Sequence, residues 1–253
     1  MHRFPNTITI QMRLAKDNIL RCDNKKIIGL WSAKSGCATF TQMFFEYIDF
    51  SYDISKFIHD ERIRYVAEHH SFFPLFMDNE FVNTDYKDHI VMQLVRNPYD
   101  RAVSSYLVST TRDSEYYRTI DYPNIIAELP NNLSFIEFLE MLKHQMFNSA
   151  NVDIHYEVQT MEHSYVALLQ NNIIKLENFQ QDILNFNLRH NTNFNQSIYY
   201  DIHSHNHPLS AYQFYHKKPP ESYDVYYKDS LAKKLVDSIY GYDIYNFKYA
   251  YNY

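Results

Sequence analysis

Two short stretches carry residue types suited to holding anions. In WSAKSGCATF (31–40) a single lysine, Lys34, stands ahead of the small residues Ser35, Gly36, Cys37, Ala38 and Thr39, which lead into an apolar helical pattern. A helix N-terminus offers unpaired N–H groups and a partial positive charge, so a turn of small residues feeding one is a natural phosphate site. Gly36 and Ala38 let a backbone approach an anion, Thr39 adds a hydroxyl and Lys34 a full positive charge. An ordinary strand–helix turn with an exposed lysine fits the same letters. A Walker A loop does not fit, because its lysine follows the glycine at the helix start, whereas Lys34 precedes Gly36 by two. That demotes an ATP or GTP hydrolase. In LVRNPYDRAVSSY (94–106), Arg96 supplies a fork of N–H donors and Ser104, eight residues on, a hydroxyl; together they suit a second phosphate. Two anion sites in one chain point to a nucleotide phosphorylated at both ends.

The surrounding patterns place both stretches at strand ends. KIIGLW (26–31) and HIVMQLV (89–95) are continuous apolar runs of the kind that form buried central strands. After the first, Phe40, Phe44, Tyr47 and Ile48 recur on one helical face. After the second, Asn97 and Pro98 suit a helix cap and first position, with Val103, Tyr106 and Leu107 as the apolar stripe. TITIQMRL (7–14) alternates like a half-buried strand, and NIIKLENFQQDILNF predicts another strand, Ile173 to Leu176, before a helix. Ser134 and Glu137 predict a capping box ahead of a helix with Phe135, Phe138, Leu139 and Leu142 inward. The last helix runs through Leu231, Leu235 and Ile239, with Gly241 as its expected stop. Strands alternating with helices predict an α/β fold, a mostly parallel central sheet flanked by helices on both faces, and ligands in such sheets sit at the strands' carboxyl ends.

Composition bounds the alternatives. A chain of 253 residues is expected to form one domain, 1–253. Its net charge of −6 excludes a long electrostatic footprint for nucleic acid, so any anion site is local. Cys22 and Cys37 are too few for a disulfide framework, which suits a reducing compartment. The opening residues hold no apolar run long enough for a signal peptide or a membrane span. At face value the chain is expected to be soluble and cytoplasmic, with the Golgi lumen open if an anchor was removed.

WSAKSGCATF and LVRNPYDRAVSSY resemble the two nucleotide-binding signatures of the sulfotransferases that use 3'-phosphoadenosine 5'-phosphosulfate (PAPS), most closely the Golgi-type carbohydrate enzymes. LSFIEFLEML (133–142), DIHYEVQT (153–160), IIKLENFQQDI (173–183) and YYKDSLAKKLVDSIYGYDIYNFKY (226–249) are similar, in order, to further segments of those enzymes. The departures are Ala38 where many relatives carry Thr or Ser, and Ala33 where they carry a proline. The resemblance implies a P-loop-like sulfotransferase fold and transfer of a sulfuryl group from PAPS to an acceptor, expected to be a carbohydrate hydroxyl. It implies that Lys34, Ser35, Gly36, Cys37, Ala38, Thr39 and Phe40 bind the 5'-phosphosulfate side, Phe40 or Trp31 packing on adenine or in the core. It implies that Arg96 and Ser104 bind the 3'-phosphate.

Lys34 is then the catalytic cation, meeting the charge that builds on the leaving phosphate. An acceptor hydroxyl also needs a base, and related enzymes place a histidine between the two motifs. YVAEHHSFFPLF (65–76) offers His70, then His69, with Glu68 as a carboxylate alternative; an imidazole of pKa ~6.5 suits that task. His155 is a further candidate for base or substrate contact. Arg101 resembles a recurrent family arginine, although a structural pairing with an acid such as Glu177 fits as well. Lys217 and Lys218 fit a solvated loop or the rim of a phosphate site. His203, His205 and His207 alternate on one segment without a paired carboxylate or thiol, and no metal is expected. Residues 110–132 read as a loop that shapes the acceptor site. The rivals are a catalytically inactive nucleotide-binding or interaction protein and a kinase-like phosphoryl transferase. The oligomeric state stays open.

Overall fold

The computed structural model describes residues 19–56, 58, 60–61, 64–65, 88–111, 133–148, 155–161, 164–198 and 222–250. Four strands form its sheet: β1 (Ile19–Cys22), β2 (Ile27–Trp31), β3 (Ile90–Val95) and β4 (Ile173–Lys175), in the spatial order β1-β2-β3-β4. β1 pairs antiparallel with β2, while β2, β3 and β4 run parallel. The three parallel strands therefore end along one edge, with Trp31 opposite Leu94 and Val95 opposite Lys175.

Every residue of β2 is buried, as the unbroken run IIGLW predicts for a strand covered on both faces. Ile27, Trp31, Met92, Leu94 and Ile174 belong to one apolar cluster with α1 (Cys37–Tyr47) and α5 (Phe179–His190). Ile28, Leu30 and Val91 pack on the other side with Ala167 of α4 (Ser164–Leu169). Gly29 allows α1 to sit this close: a Cβ there would meet the Phe40 ring at 2.8 Å. α1 is buried on more of its circumference than a single stripe requires, Thr41, Gln42, Met43 and Phe45 included. Burying a side chain such as Phe44 contributes ~1.5–3 kcal/mol.

A second apolar cluster joins α2 (Pro98–Thr111), α3 (Phe135–Asn148) and α6 (Ser230–Asn246) through Val103, Phe138, Leu142, Val236 and Tyr240. Local chemistry starts these helices where the sequence predicts. Pro98 opens α2, and the Asn97 side chain accepts from Tyr99 N at 3.0 Å. Glu137 Oε2 accepts from Ser134 N at 2.7 Å while Ser134 Oγ accepts from Glu137 N at 3.3 Å, a complete capping box.

Two local expectations are corrected. β1 forms from Ile19–Cys22, four residues that show no clear alternation; the expected strand at 7–14 lies outside the described residues. Gly241 does not stop the last helix, which kinks at Tyr240 (φ −111°, ψ 23°) and continues to Asn246. A Cβ at Gly241 would meet nothing within 4 Å, so no close approach or left-handed turn calls for glycine there. The helix end is fixed instead by the contacts of Asp243. Among the described residues no helix is long and apolar enough to cross a membrane.

Candidate anion-binding and transfer site

Lys34 lies three residues beyond the end of β2 and Arg96 one residue beyond the end of β3, so both junctions meet on the carboxyl edge of adjacent parallel strands. They touch: Arg96 Nη1 donates to Lys34 O at 3.2 Å. The first junction is built from a locked turn. Ser35 N donates to Ser32 O at 3.2 Å, and Ser35 Oγ contacts Ser32 N at 3.2 Å and Ser32 Oγ at 2.9 Å. Ser35 is buried and its N–H is committed to that turn, so it shapes the loop from within.

Lys34 (φ 66°) and Gly36 (φ 97°) both take left-handed conformations, which turn the chain sharply into α1. Gly36 is the N-cap of α1 and no side chain caps it. The first turn-closing bond runs from Phe40 N to Gly36 O, leaving the amides before Phe40 to be met from outside the helix ladder. Lys34, Gly36, Cys37 and Ala38 are half-buried, and Thr39 is buried beneath them. An uncapped helix start with a lysine on its rim fits a phosphate or phosphosulfate group.

Phe40 and Trp31 are 0% and 1% exposed. Their rings are engaged in the core, Phe40 against the backbone of Gly29, so of the two roles open to them, adenine or core, both take the core one.

The second junction is held at three points. Gln159 Oε1 accepts from Arg96 N at 2.8 Å, and Gln159 Nε2 donates to Arg96 O at 2.7 Å. Glu177 Oε1 accepts from Asn97 N at 2.5 Å. The guanidinium of Arg96 lies 5.8 Å from the Tyr223 ring. Ser104 is half-buried on α2, two turns beyond Arg96, while its neighbour Ser105 donates to His155 O at 2.8 Å. That bond brings His155 to the second junction's helix. Lys175, at the third parallel strand end, is turned to the Tyr249 ring at 4.3 Å.

Arg101 is fully buried, and its Nε donates to Ala33 O at 2.8 Å, directly behind the lysine-bearing turn. The expected acid partner Glu177 instead accepts from Asn97 N and from Tyr249 Oη. The acid that feels the charge of Arg101 is Asp243. Burial pushes the Asp243 carboxyl above its ordinary range, against the downward pull of Arg101 and of the bonds from Gln159 N and Thr160.

Gln159 and Asp243 are the residues that sequence reasoning missed, and Asp243 left a signal. It continues the i, i+4 series Leu231, Leu235, Ile239, of which Leu235 and Ile239 are buried, so an acid falls on the inward stripe of a helix. The candidate bases His70, His69 and Glu68, the pair Lys217 and Lys218, and the histidines 203, 205 and 207 lie outside the described residues. Among the described residues no group of three or more His, Cys, Asp or Glu could hold a metal ion.

Compared with known proteins, the chain matches the model of the sulfotransferase family over residues 17–250. Neither a curated protein nor a solved structure matches it.

Proposed function

The chain belongs to the sulfotransferase family, and on that premise we propose that it moves a sulfuryl group from PAPS to an acceptor hydroxyl on a carbohydrate. The observation that supports this reading is the adjacency of two cation-bearing junctions on neighbouring strand ends, bridged by the bond from Arg96 Nη1 to Lys34 O. A nucleotide carrying charge at both its 5' and 3' positions needs two such sites within one small molecule's reach.

In this reading the backbone at the start of α1, Gly36 to Thr39, holds the 5'-phosphate, and Arg96 with Ser104 holds the 3'-phosphate. The donor is thereby aligned for in-line attack. The acceptor oxygen forms its bond to sulfur as the bond from sulfur to the phosphate oxygen breaks. Negative charge builds on that phosphate oxygen, and Lys34 stabilises it. The proton of the acceptor hydroxyl passes to a base, for which His70 is the first candidate, then His69 or Glu68. His155, drawn to α2 by Ser105, is the described alternative.

The test is transfer of radiolabelled sulfate from PAPS to a panel of mono- and oligosaccharides. Wild type is expected to label at least one of them, and Lys34→Ala to lose about a hundredfold or more in kcat. Tight nucleotide binding with no transfer to any acceptor, sugars or otherwise, would favour an inactive binding protein instead.

A further inference from the structure

One fully buried amide connects the two junctions. Besides its paired bonds to Arg96 N and O, Gln159 Oε1 accepts from Ser32 Oγ at 3.3 Å, and Ser32 anchors the turn that carries Lys34. The backbone of Gln159 has no slack to absorb a shift. Its N–H donates to both carboxylate oxygens of Asp243 on α6, at 2.9 and 2.8 Å, and its carbonyl accepts from Gln93 Nε2 in the middle of β3 at 2.9 Å.

The junctions are thus tied twice: on the accessible side by the Arg96 side chain to Lys34 O, and from behind by Gln159. When the Arg96 fork turns to a phosphate, the front tie is the one that changes, because it uses the guanidinium itself. The rear tie uses the backbone of Arg96 and is untouched.

We propose that Gln159 is a positioning residue that fixes the separation of the two phosphate sites, and so sets the preference for a nucleotide phosphorylated at both ends. This rests on the donor site proposed above. A misplacement of about 1 Å between two sites that must be filled together is enough to cost a large factor in binding or rate. Either site alone is indifferent to that separation.

The experiment is calorimetry on the full chain with adenosine 3',5'-bisphosphate and adenosine 5'-monophosphate, using wild type, Gln159→Met and Ser32→Ala. Methionine keeps the volume and removes every hydrogen bond of the side-chain amide; alanine at 32 cuts the link to Gln159 together with the Ser32 Oγ–Ser35 Oγ contact, and leaves the turn's bonds to the Ser32 backbone in place. We expect Gln159→Met to lower the preference for the bisphosphate about tenfold, while monophosphate affinity stays within about twofold. Ser32→Ala should lower it in the same direction, about threefold, and decides the matter alone if Gln159→Met does not fold. A folded variant in which both nucleotides weaken by the same factor, or in which the preference is unchanged, overturns the role of Gln159 and leaves the donor site standing. A wild type that binds neither nucleotide, or does not prefer the bisphosphate, refutes the donor site itself and this inference with it.

Discussion

Lys34 holds a left-handed backbone conformation that costs a non-glycine residue energy, and it does so at the mouth of α1 with its carbonyl bonded to Arg96. The lysine was legible in the sequence as a charge beside a turn of small residues. Its tie to Arg96 was not, since it joins positions 62 apart that only the β2–β3 pairing brings together. His190 shows a different residue-scale consequence. Its Nε2 lies 2.8 Å from Asn172 Oδ1, and burial, then the neighbouring Arg189, lower its pKa below the ordinary value. The folded chain thus keeps His190 neutral where the unfolded chain would already be protonated. The stability it contributes is complete above about pH 6.5 and is lost as pH falls through that value toward the lower folded pKa. His190→Gln should flatten this part of the pH dependence. Urea midpoints at about pH 7.5 and about pH 5.5 measure it, and equal slopes for wild type and variant would refute the assignment.

At the scale of elements, the turn between β2 and α1 is seated on the turn after β4. A Cβ on Gly36 would lie 2.7 Å from Leu176 Cδ1, in a backbone conformation (φ 97°) that L-residues rarely adopt. Gly36→Ala is therefore expected to destabilise the protein by about 1–3 kcal/mol and to weaken nucleotide binding by moving the start of α1. Urea unfolding and calorimetry on the same sample check both effects. An alanine variant as stable and as tightly binding as wild type would contradict this account of the turn. Strand and helix identity was readable wherever a pattern was strong: IIGLW and IVMQLV as buried strands, Asn97–Pro98 and Ser134/Glu137 as helix starts. It failed where tertiary contacts decide. Gly241 looked like a stop because glycine often ends helices, yet the bonds that Asp243 accepts from Gln159 and Thr160 hold the next turn in place.

At the scale of the whole molecule, the parallel strands β2 and β3 bring together two stretches 62 residues apart, and the turn after β4 adds Glu177 as a third support. With a net charge of −6, the proposed reading needs only a local anion site, supplied by Lys34 and Arg96, rather than a basic surface. The fold class and both junctions were visible in the sequence because short apolar runs and helix-start chemistry are local signals. The buried network behind them, Gln159 with Asp243 and Arg101, was not, because a buried polar residue announces itself only through partners distant in sequence. The most direct test of the central claim is calorimetric binding of adenosine 3',5'-bisphosphate against ATP to wild type and to Arg96→Ala. The account predicts micromolar binding of the bisphosphate, little binding of ATP, and a loss of about tenfold or more for the bisphosphate in the variant. Preference for ATP, or bisphosphate binding unchanged by Arg96→Ala, would contradict it.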